Sequence, residues 1–234
     1  MLLEARKLAI TGGRVIDPAQ GIDRIADVLI SNGKIESVID TSSGSAPVGY
    51  QKIDANGMIV SPGFVDLHTH LRDPGQEWKE TISTGTRAAA HGGFTTVCAM
   101  PNTDPVQDSA SVVLDVIRRS AADGVVRVLP IGAISLSQQG KQLAPMIELA
   151  DAGVIGFSDD GNPVADANLM RQALAYSVEV GLPIINHPEV AIIGPNKLVE
   201  RPVVRDGQIV IRKVMNVSSS FDHRIVDGYA AARF

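Results

Sequence analysis

From residue 58 onward the chain alternates β-branched runs with amphipathic helical stretches, and this alternation limits its fold more than any other feature. Residues 58–67 form an apolar run suited to a strand buried on both faces. Residues 78–90 read as a helix that Gly92-Gly93 can end, and 94–100 as the next strand. The pattern continues with helix 111–123 closed by Gly124, strand 125–131, and helix 143–152 closed by Gly153. Strand 154–157, helix 168–180 closed by Gly181, and strand 182–186 complete it. Strand–helix units of about 30 residues imply parallel strands in one sheet with helices packed against it. A closed (β/α)8 barrel takes eight strands and about 250 residues. Here the repeat occupies residues 58–187 and shows five strands, so the expectation is α/β, a partial TIM-type barrel of about five βα units.

The flanks have a different rhythm. Residues 1–57 hold short alternating runs joined by tight turns: Ala9-Ile10 leads into Gly12-Gly13 and then Arg14-Val15-Ile16. Asn32-Gly33 between apolar runs signals a hairpin, because both turn positions tolerate positive φ. This region is expected to be a small β layer, with a Ser/Gly/Pro-rich loop at 42–49. Beyond residue 188 no helix follows a strand. Residues 190–193, a hairpin around Asp206-Gly207 and residues 215–221 read as a short β-rich tail. The expected domains are therefore 1–57, 58–187 and 188–234.

Bulk properties narrow the function. The net charge is −5, and no Lys/Arg cluster is dense enough to track a nucleic-acid backbone. The single cysteine, Cys98, forms no internal disulfide, which fits a reducing cytoplasm. The first residues make a poor signal peptide, and no apolar run approaches the ~18 residues of a membrane span. These properties point to a soluble cytosolic α/β protein without nucleic-acid or membrane partners.

The chemistry gathers at the end of the first barrel strand, in Phe64-Val65-Asp66-Leu67-His68-Thr69-His70-Leu71-Arg72-Asp73-Pro74-Gly75. Residues two apart on a strand share a face, so His68 and His70 can point together into a barrel mouth. Paired neutral imidazoles suit Zn2+; the alternative is two histidines satisfied at a strand end. Gly156-Phe157-Ser158-Asp159-Asp160-Gly161 follows another strand and reads either as a carboxylate site or as a capped turn. His91 sits at a helix C-terminus, where the macrodipole accounts for it.

The string HTHLRDPG followed by Met100-Pro101-Asn102-Thr103 resembles the signature of dihydroorotases within the amidohydrolase superfamily. The resemblance covers residues 1 to about 187. It implies that His68 and His70 bind metal, that Asp160 bridges two zinc ions and that His187, 27 residues later, is a further ligand. It also implies that Arg72 and Asn102 hold the α-carboxylate of dihydroorotate or N-carbamoyl-L-aspartate. A guanidinium fork suits that task, and the alternative for Arg72 is an ion pair with Asp73. Related hydantoinases and allantoinases use a carboxylated lysine where Asp160 stands, and no lysine lies between Lys141 and Lys197. The family continues from His187 with Cys-Glu, whereas Pro188-Glu189 stand here, and the ligands it takes from later strands are missing from the chain.

Residues from about 183 to 234 resemble the catalytic domain of dihydrolipoamide acyltransferases, above all in Phe221-Asp222-His223-Arg224-Ile225-Val226-Asp227-Gly228. That resemblance implies His223 as a base that deprotonates a thiol and Asp227 as its support. The chain thus reads as a join of two partial enzymes, with the seam in residues 181–189. Three functions follow as expectations. One is a dihydroorotase-like zinc hydrolase, incomplete and weakly active or inactive. Another is an acyltransferase fragment, with its residues stranded outside their trimer. The last is a non-catalytic partner of aspartate transcarbamoylase, or a homo-oligomer.

Overall fold

The computed structural model describes residues 7–41, 47–186, 191–195, 199–205, 208–214 and 217–221, with side chains described up to residue 185. The chain divides into two compact units, Met1–Gly63 and Phe64–Phe234.

In the first unit the Asn32-Gly33 hairpin forms as its sequence dictates, with φ of 53° and 71°. It joins strands β2 (Ile22–Ser31) and β3 (Lys34–Asp40). The sheet order is β3-β2-β1-β4, where β1 is Leu8–Asp17 and β4 is Gln51–Asp54. β5 (Ile59–Val60) also pairs with β1. The two short runs expected around Gly12-Gly13 are instead one strand. A bulge between Ile10 and Gly13 absorbs the glycines: Gly12 takes φ +75°, and its N–H donates to buried Asp27 Oδ1 at 2.9 Å. Val15, Ala26 and Val28 form the core of this layer.

The second unit carries the strand–helix alternation. β6 (Phe64–Thr69), β7 (Phe94–Ala99) and β8 (Arg127–Pro130) run parallel in that order. The sheet continues through residues 155–158. Ile155 N–H donates to the Pro130 carbonyl at 3.0 Å, and Phe157 bridges both Gly132 and Ile184 in parallel. Ile184 opens β9 (Ile184–Asn186), so five consecutive strand positions are filled, as expected for a partial barrel.

Helices α1 (Ile82–His91), α2 (Ala110–Asp123), α3 (Met146–Ala152) and α4 (Ala167–Val180) lie between the strands. α1 starts four residues later than its pattern suggests, because Thr81 and Thr84 form a capping box there. α3 likewise starts at Met146 rather than 143, since Pro145 keeps the residue before it out of helical geometry. Val113, Leu149, Phe157, Ala173 and Ile184 are buried at 1% exposure or less in the main core cluster.

Two further corrections concern the first barrel strand. The run 58–67 is not one strand: Ser61-Pro62-Gly63 breaks it into β5 and β6. Nor is β6 buried on both faces, as Phe64, Val65 and Leu67 are 58%, 53% and 50% exposed. Among the described residues β6 pairs with β7 alone, so the cover that a closed barrel gives such a strand is lacking.

The tail is antiparallel, as expected. β10 (Ala191–Pro195) pairs with β9, β13 (Val217–Phe221) pairs with β10, and β11 (Val199–Arg205) forms a hairpin with β12 (Gln208–Val214). The parallel run therefore ends at β9. Among the described residues no helix is long and apolar enough to cross a membrane.

Candidate metal centre

His68 lies on β6 and His70 one residue past its end. The strand end is anchored to β7: Met100 N–H donates to the Thr69 carbonyl at 2.9 Å, and Thr69 Oγ1 donates to the Cys98 carbonyl at 2.8 Å. Strand alternation places Asp66, His68 and His70 on one side. Asp66 accepts the His68 N–H at 3.0 Å. The imidazoles converge, with 3.0 Å between their Nε2 atoms.

Asp160 reaches the same point from the fourth strand position. Its N–H donates to Ser158 Oγ at 3.0 Å, and its backbone takes φ +50°. Asp159 points the other way. Its Oδ1 accepts the N–H groups of Ile134 and Ser135 at 2.8 and 3.0 Å, and its Oδ2 accepts the Ser135 hydroxyl. Burial raises the Asp159 carboxyl above its ordinary range, opposed in part by those donors. The doublet thus divides: Asp159 ties two strand ends together, and Asp160 is turned into the mouth.

Asp160 Oδ1 lies 3.1 Å from His68 Nε2 and 4.0 Å from His70 Nε2. One ligand atom from each of the three residues lies within 4.8 Å of the others. Tetrahedral Zn2+ with bonds near 2.0–2.1 Å sets its donor atoms about 3.3 Å apart, so these separations and this N,N,O donor set fit the ion. The Asp160 side chain is 10% exposed and that of His68 18%, which limits competition from bulk water.

Asn102, in the loop after β7, completes the cluster. Its Nδ2 donates to Asp160 Oδ2, and its Oδ1 lies 3.0 Å from His70 Nδ1. Its carbonyl accepts from Gln76 Nε2 at 3.3 Å and from Arg72 Nη1 at 3.5 Å. Arg72 is not paired with Asp73. Asp73 instead accepts from Arg119 Nη1 at 2.9 Å, while the Arg72 guanidinium reaches the Asn102 carbonyl.

The structure therefore brings together His68, His70, Asp160, Asn102 and Arg72. His187, His223 and Asp227 lie outside the described residues. Sequence reasoning did not single out Arg119, Gln76 or Ser158, nor the separate task of Asp159. Strand alternation within the Asp-Asp doublet could have found the last. Arg119 meets Asp73 only through packing of α2, which leaves no local signal.

Comparison with known proteins gives the family and the fold. Residues 57–201 match the family described as Dihydro-orotase-like, and residues 175–234 match 2-oxoacid dehydrogenases acyltransferase (catalytic domain). The two matches overlap across the expected seam. A dihydroorotase of Geobacter sulfurreducens is 50% identical over 182 residues, covering 78% of this chain and 42% of the relative. One of Anaeromyxobacter sp. (strain K) is 52% identical with the same coverage. The chain thus spans less than half the length of the relatives it matches. Among solved structures, the L-hydantoinase (dihydropyrimidinase) of Arthrobacter aurescens superposes with a TM-score of 0.66 at 23% identity, over 77% of this chain and 40% of its own. A D-hydantoinase superposes at 0.64 with 24% identity over the same shares, and the two likenesses establish the fold.

Proposed function

The chain belongs to the dihydro-orotase-like family, and on that premise we propose that it carries part of a zinc-dependent cyclic amidohydrolase centre. The substrates in this reading are dihydroorotate and N-carbamoyl-L-aspartate, in pyrimidine biosynthesis in the cytoplasm. One observation carries it. His68, His70 and Asp160, from strand ends far apart in sequence, place three ligand atoms within 4.8 Å of one another at the C-terminal edge of a parallel sheet.

Zinc held there supplies a water of lowered pKa and a Lewis acid for the ring carbonyl. His68 and His70 contribute Nε2 lone pairs. Asp160 would contribute the negative charge that adjacent dications need, and the family resemblance would add His187, outside the described residues, as a further ligand. Arg72, with Asn102 beside it, receives the substrate carboxylate in a bidentate fork and so fixes the ring. Water then adds to the ring amide and the C–N bond breaks; the reverse closes the ring. We expect this chain alone to turn over dihydroorotate far more slowly than the longer relatives, because antiparallel β10 holds the sheet edge where a further parallel strand would pair.

The deciding measurement is zinc per chain in a monodisperse fraction. One to two ions, lost in a His68→Ala/His70→Ala variant, are expected, and a metal-free protein would overturn the reading.

The match over residues 175–234 favours a second reading, acyl transfer with His223 as base and Asp227 in support. It requires a trimer and a coenzyme A-dependent burst, and a monomer without that burst ends it. Co-purification with aspartate transcarbamoylase would instead mark a docking role.

A further inference from the structure

The loop after β7 holds Asn102 in place before its side chain is considered. Gln107 is fully buried. Its side chain donates to the Met100 carbonyl at 2.9 Å and its N–H to the Pro101 carbonyl at 3.0 Å. Thr103 N–H also donates to the Pro101 carbonyl, at 2.9 Å. Gln76 and Arg72 both reach the Asn102 carbonyl. The amide is thus delivered between His70 and Asp160 by a backbone fixed on both sides.

The orientation of that amide follows from chemistry. A carboxylate accepts and does not donate, so Asp160 Oδ2 takes the Nδ2 end of Asn102. The Oδ1 end must then face His70 Nδ1, 3.0 Å away. An amide oxygen only accepts, so this contact is a hydrogen bond only when Nδ1 carries the proton. Neutral imidazole has one N–H, so the Nε2 of His70 is left with a bare lone pair aimed at His68 and Asp160. A neutral histidine side chain free in water favours the opposite tautomer, with the proton on Nε2.

We propose that Asn102 is a positioning residue of this centre, relaying the charge of Asp160 into the tautomer of His70 and so presetting its Nε2 as a metal donor. This task is separate from the contact with substrate carboxylate that the family resemblance gives Asn102, because it operates without substrate. It also makes the two imidazoles unequal. His68 Nε2 faces two acceptors, His70 Nε2 at 3.0 Å and Asp160 Oδ1 at 3.1 Å. With His70 Nε2 bare, either contact is a hydrogen bond only if His68 Nε2 carries a proton, which a metal would have to displace, whereas His70 would need no rearrangement. The consequence for metal rests on the zinc reading above; the tautomer itself does not.

The test is long-range 1H–15N spectroscopy of the imidazoles in the full metal-free chain, with His70 assigned by its loss in His70→Gln. In the unsubstituted protein His70 is expected as the Nδ1–H tautomer. Asn102→Ala and Asn102→Leu are expected to move it toward Nε2–H, and Asn102→Asp, which still accepts from Nδ1–H, to keep it. Zinc affinity, read by chelator competition, is expected to fall about 10–100-fold in Asn102→Ala. An Nε2–H tautomer in the unsubstituted protein, or an Nδ1–H tautomer retained in both the Ala and Leu variants, overturns the proposal. So does equal zinc affinity of the unsubstituted and Ala proteins. If the unsubstituted chain takes up no zinc, the metal reading fails and the tautomer data still decide the role of Asn102.

Discussion

Asp159 shows at the residue scale how a buried carboxylate can be structural while its neighbour is chemical. It is 3% exposed, and its partners are two backbone N–H groups and the Ser135 hydroxyl. Asp159→Ala would leave the N–H groups of Ile134 and Ser135 buried without an acceptor, at about 1–3 kcal/mol each. Asp159→Asn retains an acceptor for both and is expected to cost much less. Denaturant melts of the two variants check the contrast, and equal losses would refute it. The pH dependence has a definite sign. Burial raises this carboxyl in the folded state, so the folded protein binds its proton more tightly than the unfolded chain. The stability it contributes is fully present below the ordinary carboxylate range and is lost as pH rises through the folded value. The stability of the unsubstituted protein relative to Asp159→Asn should therefore fall between acid and neutral pH.

At the element scale, the connection from β6 to α1, which carries Arg72, is held at several points. Arg72 itself takes φ +58°, which a non-glycine residue adopts only when its surroundings impose it. Asp73 accepts from Arg119 of α2 and from Ile82 N–H, the first residue of α1, at 3.4 Å. The Asp104 N–H donates to the Pro74 carbonyl at 3.0 Å. Gly75, at φ +91°, comes so close to that neighbouring loop that a Cβ would lie 1.8 Å from the Asp104 carbonyl oxygen. Gly75→Ala combines a strained φ with a clash against backbone, so a loss above about 2 kcal/mol is expected. Thermal melts report it, and backbone hydrogen exchange over residues 72–76 should rise with it. A variant with unchanged melting would show that the two loops do not hold each other.

For the molecule as a whole, the parallel sheet has two different edges. Beyond β9 the edge is taken by β10, which runs antiparallel. At the other side β6 pairs only with β7 among the described residues, and it exposes Phe64, Val65 and Leu67. An apolar strand with an unpaired edge invites pairing with other chains. Concentration-dependent self-association is therefore expected in sedimentation velocity, and Leu67→Lys should reduce it. A monomer that persists at high concentration would count against this, as would association that Leu67→Lys leaves unchanged.

Sequence alone determined the local elements and the chemical vocabulary. Asn32-Gly33 forced its hairpin because the turn needs two positive φ values. Gly153 and Gly181 ended their helices in left-handed geometry, and the spacing of His68 and His70 put both rings on one face. These features depend on neighbours in the chain, so they are legible there. Tertiary structure decided what depends on distant residues. It joined the strand ends that bring Asp160 to His68, and it drew Asp73 to Arg119 rather than to Arg72. It turned Asn102 toward His70 and Asp160 and left Phe64, Val65 and Leu67 of β6 exposed among the described residues. Burial and long-range pairing are properties of the packed sheet, and only packing reveals which partner each polar group meets.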